Sequence, residues 1–180
     1  MQYAIELYFD PKTEEKLWEL PRKIAAEHIS TKYLEWKTRP HLTLACFNNV
    51  NEMQCIEQLK AFAVRHNTMP AHICSVGMFP DTKTIFVSSV MNVRIYQFHQ
   101  ELHESLKNFD TKGWEWYCPD TWAPHCTIAL TGDDESEAFD RAASLVLREF
   151  RKLAGEFAAI GLVKLTFPVE ELFTVNLKKQ

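Results

Sequence analysis

Pro40-His41-Leu42-Thr43-Leu44-Ala45 and Pro124-His125-Cys126-Thr127-Ile128-Ala129 are two copies of one six-residue phrase. Proline, histidine, threonine and alanine keep their places in both. The two remaining places are apolar, Cys126 counting as a small hydrophobe. The chain has 180 residues and only seven histidines, and the copies lie nearly half its length apart. Chance supplies a stray His-x-Thr, but not readily the same six-residue frame twice. The repeat predicts two related halves, each giving one histidine and one threonine to a shared site.

Proline fixes its own φ, pushes the preceding residue into extended backbone and has no N–H for a ladder, so in strands it sits at a first position or an edge. His41 to Phe47 and His125 to Leu130 therefore read as strands that begin just after a proline. Side chains alternate along a strand, which puts His41 and Thr43 on one face and Leu42 and Leu44 on the other. His125 and Thr127 likewise oppose Cys126 and Ile128. An imidazole titrates near ~6.5, so of two facing imidazoles one can be a neutral base while the other is a charged acid. That division suits breaking a P–O bond: one ring takes a proton from the attacking oxygen and the other gives one to the leaving oxygen. Threonine hydroxyls can donate to the non-bridging phosphate oxygens. The pattern treats both histidines as equivalent and leaves open which is acid and which is base.

Outward from these strands the chain shows the same order of elements twice. Tyr3, Ile5, Leu7 and Phe9 alternate with Ala4, Glu6 and Tyr8 as a strand. Asp10-Pro11 opens a helix to about His28, with Pro21 expected to kink or split it. Asn51 opens a second helix; Pro70 to Phe79 and Thr84 to Val90 form a hairpin about Pro80-Asp81-Thr82-Lys83. A third helix is predicted from Asn92 to Asn108, with Ile95, Phe98, Leu102 and Leu106 as its apolar stripe. A fourth is predicted from Asp133-Asp134-Glu135 to near Gly155, then a closing hairpin of 157–166 and 172–177 about Pro168. The order is β-α-β-α-β twice and a last strand, with the motif strand second in each half.

An apolar share of 46% suits a chain that can bury a sizeable core. A net charge of −4 argues against a protein that coats nucleic acid by charge alone, while leaving recognition of one phosphate open. Five scattered cysteines make neither a disulfide framework nor a metal spacing, which suggests buried thiols in a reducing compartment. No signal peptide or membrane span is visible, so a cytoplasmic location and no membrane partner are expected.

The two motifs resemble the signature of the 2H phosphoesterase superfamily, which contains the 2′-5′ RNA ligase-like proteins and the cyclic phosphodiesterases: two His-x-Thr/Ser-x motifs with apolar x, here His41-Leu42-Thr43-Leu44 and His125-Cys126-Thr127-Ile128. The resemblance implies an α+β fold in which residues 1–180 form a single bilobal domain. That domain would be a pseudo-twofold duplication of β-α-β-α-β units, approximate halves 1–82 and 83–180, with mostly antiparallel sheets lining a central cleft. It implies a site that needs no metal or other cofactor, and an enzyme that hydrolyses a 2′,3′-cyclic phosphate on a nucleoside or RNA end. The alternatives are 2′-5′ phosphodiester cleavage or ligation, or a non-catalytic phosphate-end binding module. His41 and His125 are the expected catalytic pair, Thr43 and Thr127 the phosphate donors, and a nucleotide or RNA end the partner of a monomer.

Other residues carry weaker signals. Trp36 and Trp122 precede the two motifs and are candidates to stack on a base, packing between lobes being the alternative. Arg39 is a candidate phosphate contact if the strand extends back through Pro40, and is otherwise solvated. His99 and His103 share a helix face, but with no third ligand in sight a solvated flank is the expected reading rather than a metal site. The acidic run 133–137 reads as a helix first turn favoured by the dipole.

Overall fold

The computed structural model of the protein describes residues 1–107, 109, 113–132 and 136–179. Polar caps start the helices where the sequence places them. Asp10 accepts the N–H groups of Lys12 and Thr13 at the head of α1 (Pro11–Ala26), after β1 (Tyr3–Phe9). The helix continues through Pro21, which has no N–H to give the Leu17 carbonyl, and buries Leu17, Leu20 and Ile24. A short α2 (Lys32–Trp36), which the periodicity does not announce, precedes β2 (His41–Phe47). Asn51 caps α3 (Glu52–Ala63), and the hairpin β3 (Met69–Phe79) and β4 (Thr84–Ser89) follows as expected. Asn92 caps α4 (Val93–Ser105); a 3₁₀ turn (Glu115–Tyr117) leads on to β5 (Cys126–Leu130).

The expected helix start at 133–135 lies outside the described residues; α5 is described from Ser136 to Glu149. Its end differs from the sequence expectation. The chain is already a strand at Leu153, and β6 (Leu153–Lys164) takes Gly155 into its ladder before β7 (Glu170–Asn176) closes the chain. Gly155 is there for a close approach, not as a helix stop. A Cβ at that position would lie 1.8 Å from Thr13 Oγ1, against the α1 cap that also holds the Glu156 N–H through Asp10 Oδ2 at 2.9 Å.

All strands join one seven-stranded antiparallel sheet in the order β2-β1-β6-β3-β4-β5, with β7 also paired to β6. The order reads the same from both ends if β1, β2 and β3 exchange with β4, β5 and β6. That is the symmetry the repeated phrase predicts, with one feature added by pairing. Each spatial half takes its third strand from the other half of the chain: β6 stands beside β1, and β3 beside β4.

Tyr3, Ile5, Leu7 and Phe9 enter the main core with apolar residues of α1, α3, α4 and α5. Ala4 faces the other way, in a small cluster with Cys46 and Val163 under Trp114 and Tyr117. The sheet thus has two buried faces, and the second is where the motif side chains point. The two ends of the strand order, β2 and β5, also touch each other. The sheet curls until its two motif strands meet. Among the described residues no helix is long and apolar enough to cross a membrane.

Candidate active site

The two motifs make the same local structure. His41 lies opposite Tyr8 and Thr43 opposite Glu6; the register then slips by one residue, so that Ala45 pairs with Ile5 and Leu44 is the extra residue. In the other half Thr127 lies opposite Phe86, and the same slip leaves Ile128 extra and pairs Ala129 with Ile85. A β-bulge at the equivalent motif position bends each strand just beyond its threonine.

Each proline spans a hydrogen bond from its histidine. His41 Nδ1–H donates to the Arg39 carbonyl at 2.6 Å, and His125 Nδ1–H donates to the Ala123 carbonyl at 2.7 Å. A carbonyl only accepts, so Nδ1 carries the proton in both rings and Nε2 is left to exchange one. His41 and Thr43 are half-buried between fully buried Leu42 and Leu44, and Thr127 is half-buried between Cys126 and Ile128. The contact of β2 with β5 brings the motifs together: a positive charge on His41 disfavours one on His125, and the Trp122 indole N–H donates to the Thr43 carbonyl at 2.9 Å.

The surroundings of the two rings differ. His41 Nε2 lies 3.3 Å from Glu6 Oε1, and Glu6 is only 2% exposed. Burial raises the Glu6 carboxyl above the ordinary carboxylate range; the neighbouring His41 and the Tyr8 hydroxyl draw it back down. On β4 the place equivalent to Glu6 belongs to Phe86. His125 packs against the rings of Phe79 and Phe86, at centroid distances of 4.8 and 5.2 Å. Gly77 makes room for this wall, since a Cβ there would lie 2.3 Å from the Phe86 ring. Burial lowers the His125 pKa, and the charge on His41 lowers it further against the pull of the Ala123 carbonyl.

Behind the motif, the extra peptide of the β2 bulge is held from the other half of the molecule. The Leu44 carbonyl accepts from His99 Nε2 and His103 Nε2, both at 2.9 Å. Trp122 stacks on His99 at 3.8 Å, almost parallel. His99 and His103 are thus not a solvated flank: His99 is 0% exposed, and burial, with His103 next to it, pushes its pKa down to about 4. The pair serves one carbonyl that helical periodicity alone cannot show. A ring held neutral in this way stabilises the fold fully above the unfolded pKa of 6.5, and that contribution is lost as pH falls towards about 4. We expect unfolding free energy to decline over that window by up to about 1.4 kcal/mol per pH unit from this ring. Denaturant melts of wild type and His99→Gln check it; a slope that survives the substitution intact assigns the effect elsewhere.

Arg39 is ion-paired rather than solvated. Its guanidinium is held by Glu14 at 2.9 Å and Glu171 at 3.3 Å and lies over the Tyr8 ring at 4.1 Å. Its carbonyl serves His41. Trp122 has one face on His99, so its place is structural on that side. Trp36 is 36% exposed and meets Phe167 edge-on at 5.5 Å, leaving ring surface open to a ligand. Sequence reasoning missed Glu6, Tyr8, Phe79 and Phe86. Glu6 alternates with apolar residues as a solvent-facing residue would, and no local signal marks it as buried. Among the described residues no group of three or more His, Cys, Asp or Glu side chains could hold a metal.

A model of the 2′-5′ RNA ligase superfamily matches residues 13–167. No curated protein matches the sequence. Solved structures share the fold at low identity. A phosphoesterase is 12% identical over 98% of both chains with a TM-score of 0.63. The Thermus thermophilus protein TT0787 is 14% identical over the whole of both chains, with a TM-score of 0.60. E. coli LigT complexed with 3′-AMP is 13% identical over 98% of both chains, with a TM-score of 0.57. With one family model spanning both histidine motifs and the fold shared from end to end, the chain belongs to the 2′-5′ RNA ligase superfamily, among the 2H phosphoesterases.

Proposed function

We propose that this protein is a phosphodiesterase that opens a 2′,3′-cyclic phosphate on a nucleoside or RNA end with water, without a metal, through His41 and His125. The observation that carries the reading is the matched pair of imidazoles at the heads of two touching strands, each with Nδ1 tied to a carbonyl and Nε2 left to exchange a proton. One Nε2 takes a proton from water as its oxygen bonds phosphorus. The other gives a proton to the ring oxygen as the P–O bond to it breaks. Thr43 and Thr127, one pleat along from the histidines, donate to the non-bridging oxygens, where charge gathers. The nucleotide complex of E. coli LigT, a protein of the same fold, supports a nucleotide as the kind of ligand.

A 2′-5′ phosphodiester is the second reading, favoured by the family that the chain matches. The same acid and base serve cleavage and its reverse. One screen separates them. Purified protein with EDTA is offered 2′,3′-cyclic nucleotides, RNA with a cyclic end, and 2′-5′ dinucleotides, with the His41/His125 double alanine variant as control. Turnover of the cyclic substrates is expected. Cleavage of 2′-5′ dinucleotides alone replaces the first reading with the second. Binding of 3′-AMP with no turnover of any substrate makes the protein a phosphate-end binder.

A further inference from the structure

We propose that His99, His103 and Trp122 are positioning residues for Thr43: from the other half of the molecule they hold the two carbonyls at the β2 bulge, and so fix where the Thr43 hydroxyl points. The inference rests on the reading of Thr43 as a donor to the substrate phosphate.

A bulge is a soft place in a strand, because its extra residue drops out of the ladder. Here the extra residue is Leu44, next to Thr43. Its carbonyl needs a partner, and one donor would satisfy it. It receives two, His99 Nε2–H and His103 Nε2–H, both at 2.9 Å. The preceding carbonyl, that of Thr43 itself, accepts the Trp122 indole N–H at 2.9 Å. Three donors on two consecutive carbonyls fix both peptide planes that follow the Thr43 Cα. A β-branched side chain is stiff at χ1, so the Thr43 hydroxyl follows its backbone.

The donors are themselves braced. His99 and His103 stand about one turn apart on α4, so one oxygen can meet both. Their rings lie 4.5 Å apart, and Trp122 lies flat on His99 at 3.8 Å. Burial lowers the pKa of both imidazoles, so near pH 7 each is neutral and spends its one N–H on the Leu44 carbonyl. Stability alone is poorly served by this arrangement. His99 Nδ1 is buried with no hydrogen-bond partner among the described residues, a cost that an apolar side chain would not carry.

Trp122 stands three residues before His125, so the clamp also ties Thr43 to the segment that carries the second histidine. The second motif has the same bulge without the clamp. Among the described side chains, the Thr127 carbonyl meets only the Cys126 thiol, a weak donor at 3.8 Å. Loss of the clamp should therefore be felt through Thr43 and not through Thr127.

The test is a double-mutant cycle. His103→Met removes the donor at similar side-chain length, and His103→Gln keeps an N–H near the Nε2 position. Each is made alone, with Thr43→Val and with Thr127→Val; kcat/KM is measured by steady-state kinetics and affinity for inorganic phosphate by calorimetry. A positioning residue can cost no more than the group it positions, and a misplacement of about 1 Å costs up to ~10²-fold, so His103→Met is expected to lower kcat/KM about 10-fold. It should weaken phosphate binding as well, and His103→Gln should restore most of both. With Thr43→Val already present, His103→Met should cost little more; with Thr127→Val it should cost its full amount. The same loss in all three backgrounds, or no loss in the wild type, overturns the proposal. If His103→Met fails to fold, Trp122→Phe, which takes the N–H from the Thr43 carbonyl, goes through the same cycle. Wild-type kcat/KM and phosphate affinity in Thr43→Val itself would end the reading of Thr43 as a phosphate donor and the clamp with it, a result distinct from losses that simply add.

Discussion

His41→Ala and His125→Ala should each lower kcat about 10²–10⁴-fold, the usual worth of a positioned general acid or base. His125, just before β5, is tied by the Ala123 carbonyl and packs on Phe79 and Phe86, whereas His41, the first residue of β2, is tied by the Arg39 carbonyl and lies 3.3 Å from the buried Glu6 carboxyl. The thermal midpoint should change little in His125→Ala and fall further in His41→Ala, which takes the partner from buried Glu6; steady-state kinetics beside a circular dichroism melt reads both quantities. On the proposed mechanism, in which the two rings act on one phosphorus in a single step, the double variant should be little worse than the worse single one. Near-wild-type turnover in either single variant, on every substrate that the parent cleaves, would remove that histidine from the mechanism.

Thr43→Val and Thr127→Val have the next largest expected effect, a loss in kcat/KM on the order of 10²-fold each, as when one donor to a developing anionic oxygen is removed. Valine keeps the β-branched shape that suits a strand and takes away only the hydroxyl. Both limbs of the bell-shaped pH–rate profile should stay where they are, because no titrating group changes. This separates a phosphate donor from a titrating group. Inorganic phosphate should compete with substrate in the wild type and more weakly in each valine variant. If both variants bind phosphate as the parent does and keep its kcat/KM, the hydroxyls do not face the phosphate.

Local patterns in the sequence determined much of this protein. Asp10, Asn51 and Asn92 cap helices because a short polar side chain can accept the orphan N–H groups of a first turn wherever it stands. Proline followed by alternating polar and apolar residues is enough to start a strand and put histidine and threonine on one face. The doubled phrase announced the symmetry and even carried the bulge, which falls at Leu44 and Ile128 alike. Tertiary structure alone decided the partners. Gly155 looked like a helix stop until pairing of Leu153–Phe157 with Met69–Ile73 drew it into a strand. Which half owns β3 and β6 depends on ladder hydrogen bonds between residues far apart in sequence. Glu6 reads as a solvent-facing residue because alternation reports only that two faces exist; it became a buried partner of His41 when the sheet curled and covered the second face. The same closure turned His99 and His103 from a helix flank into clamps on the Leu44 carbonyl. A residue's alternation or helical stripe is set by its own backbone, whereas its burial and charge partners are set by whatever the rest of the chain brings against it.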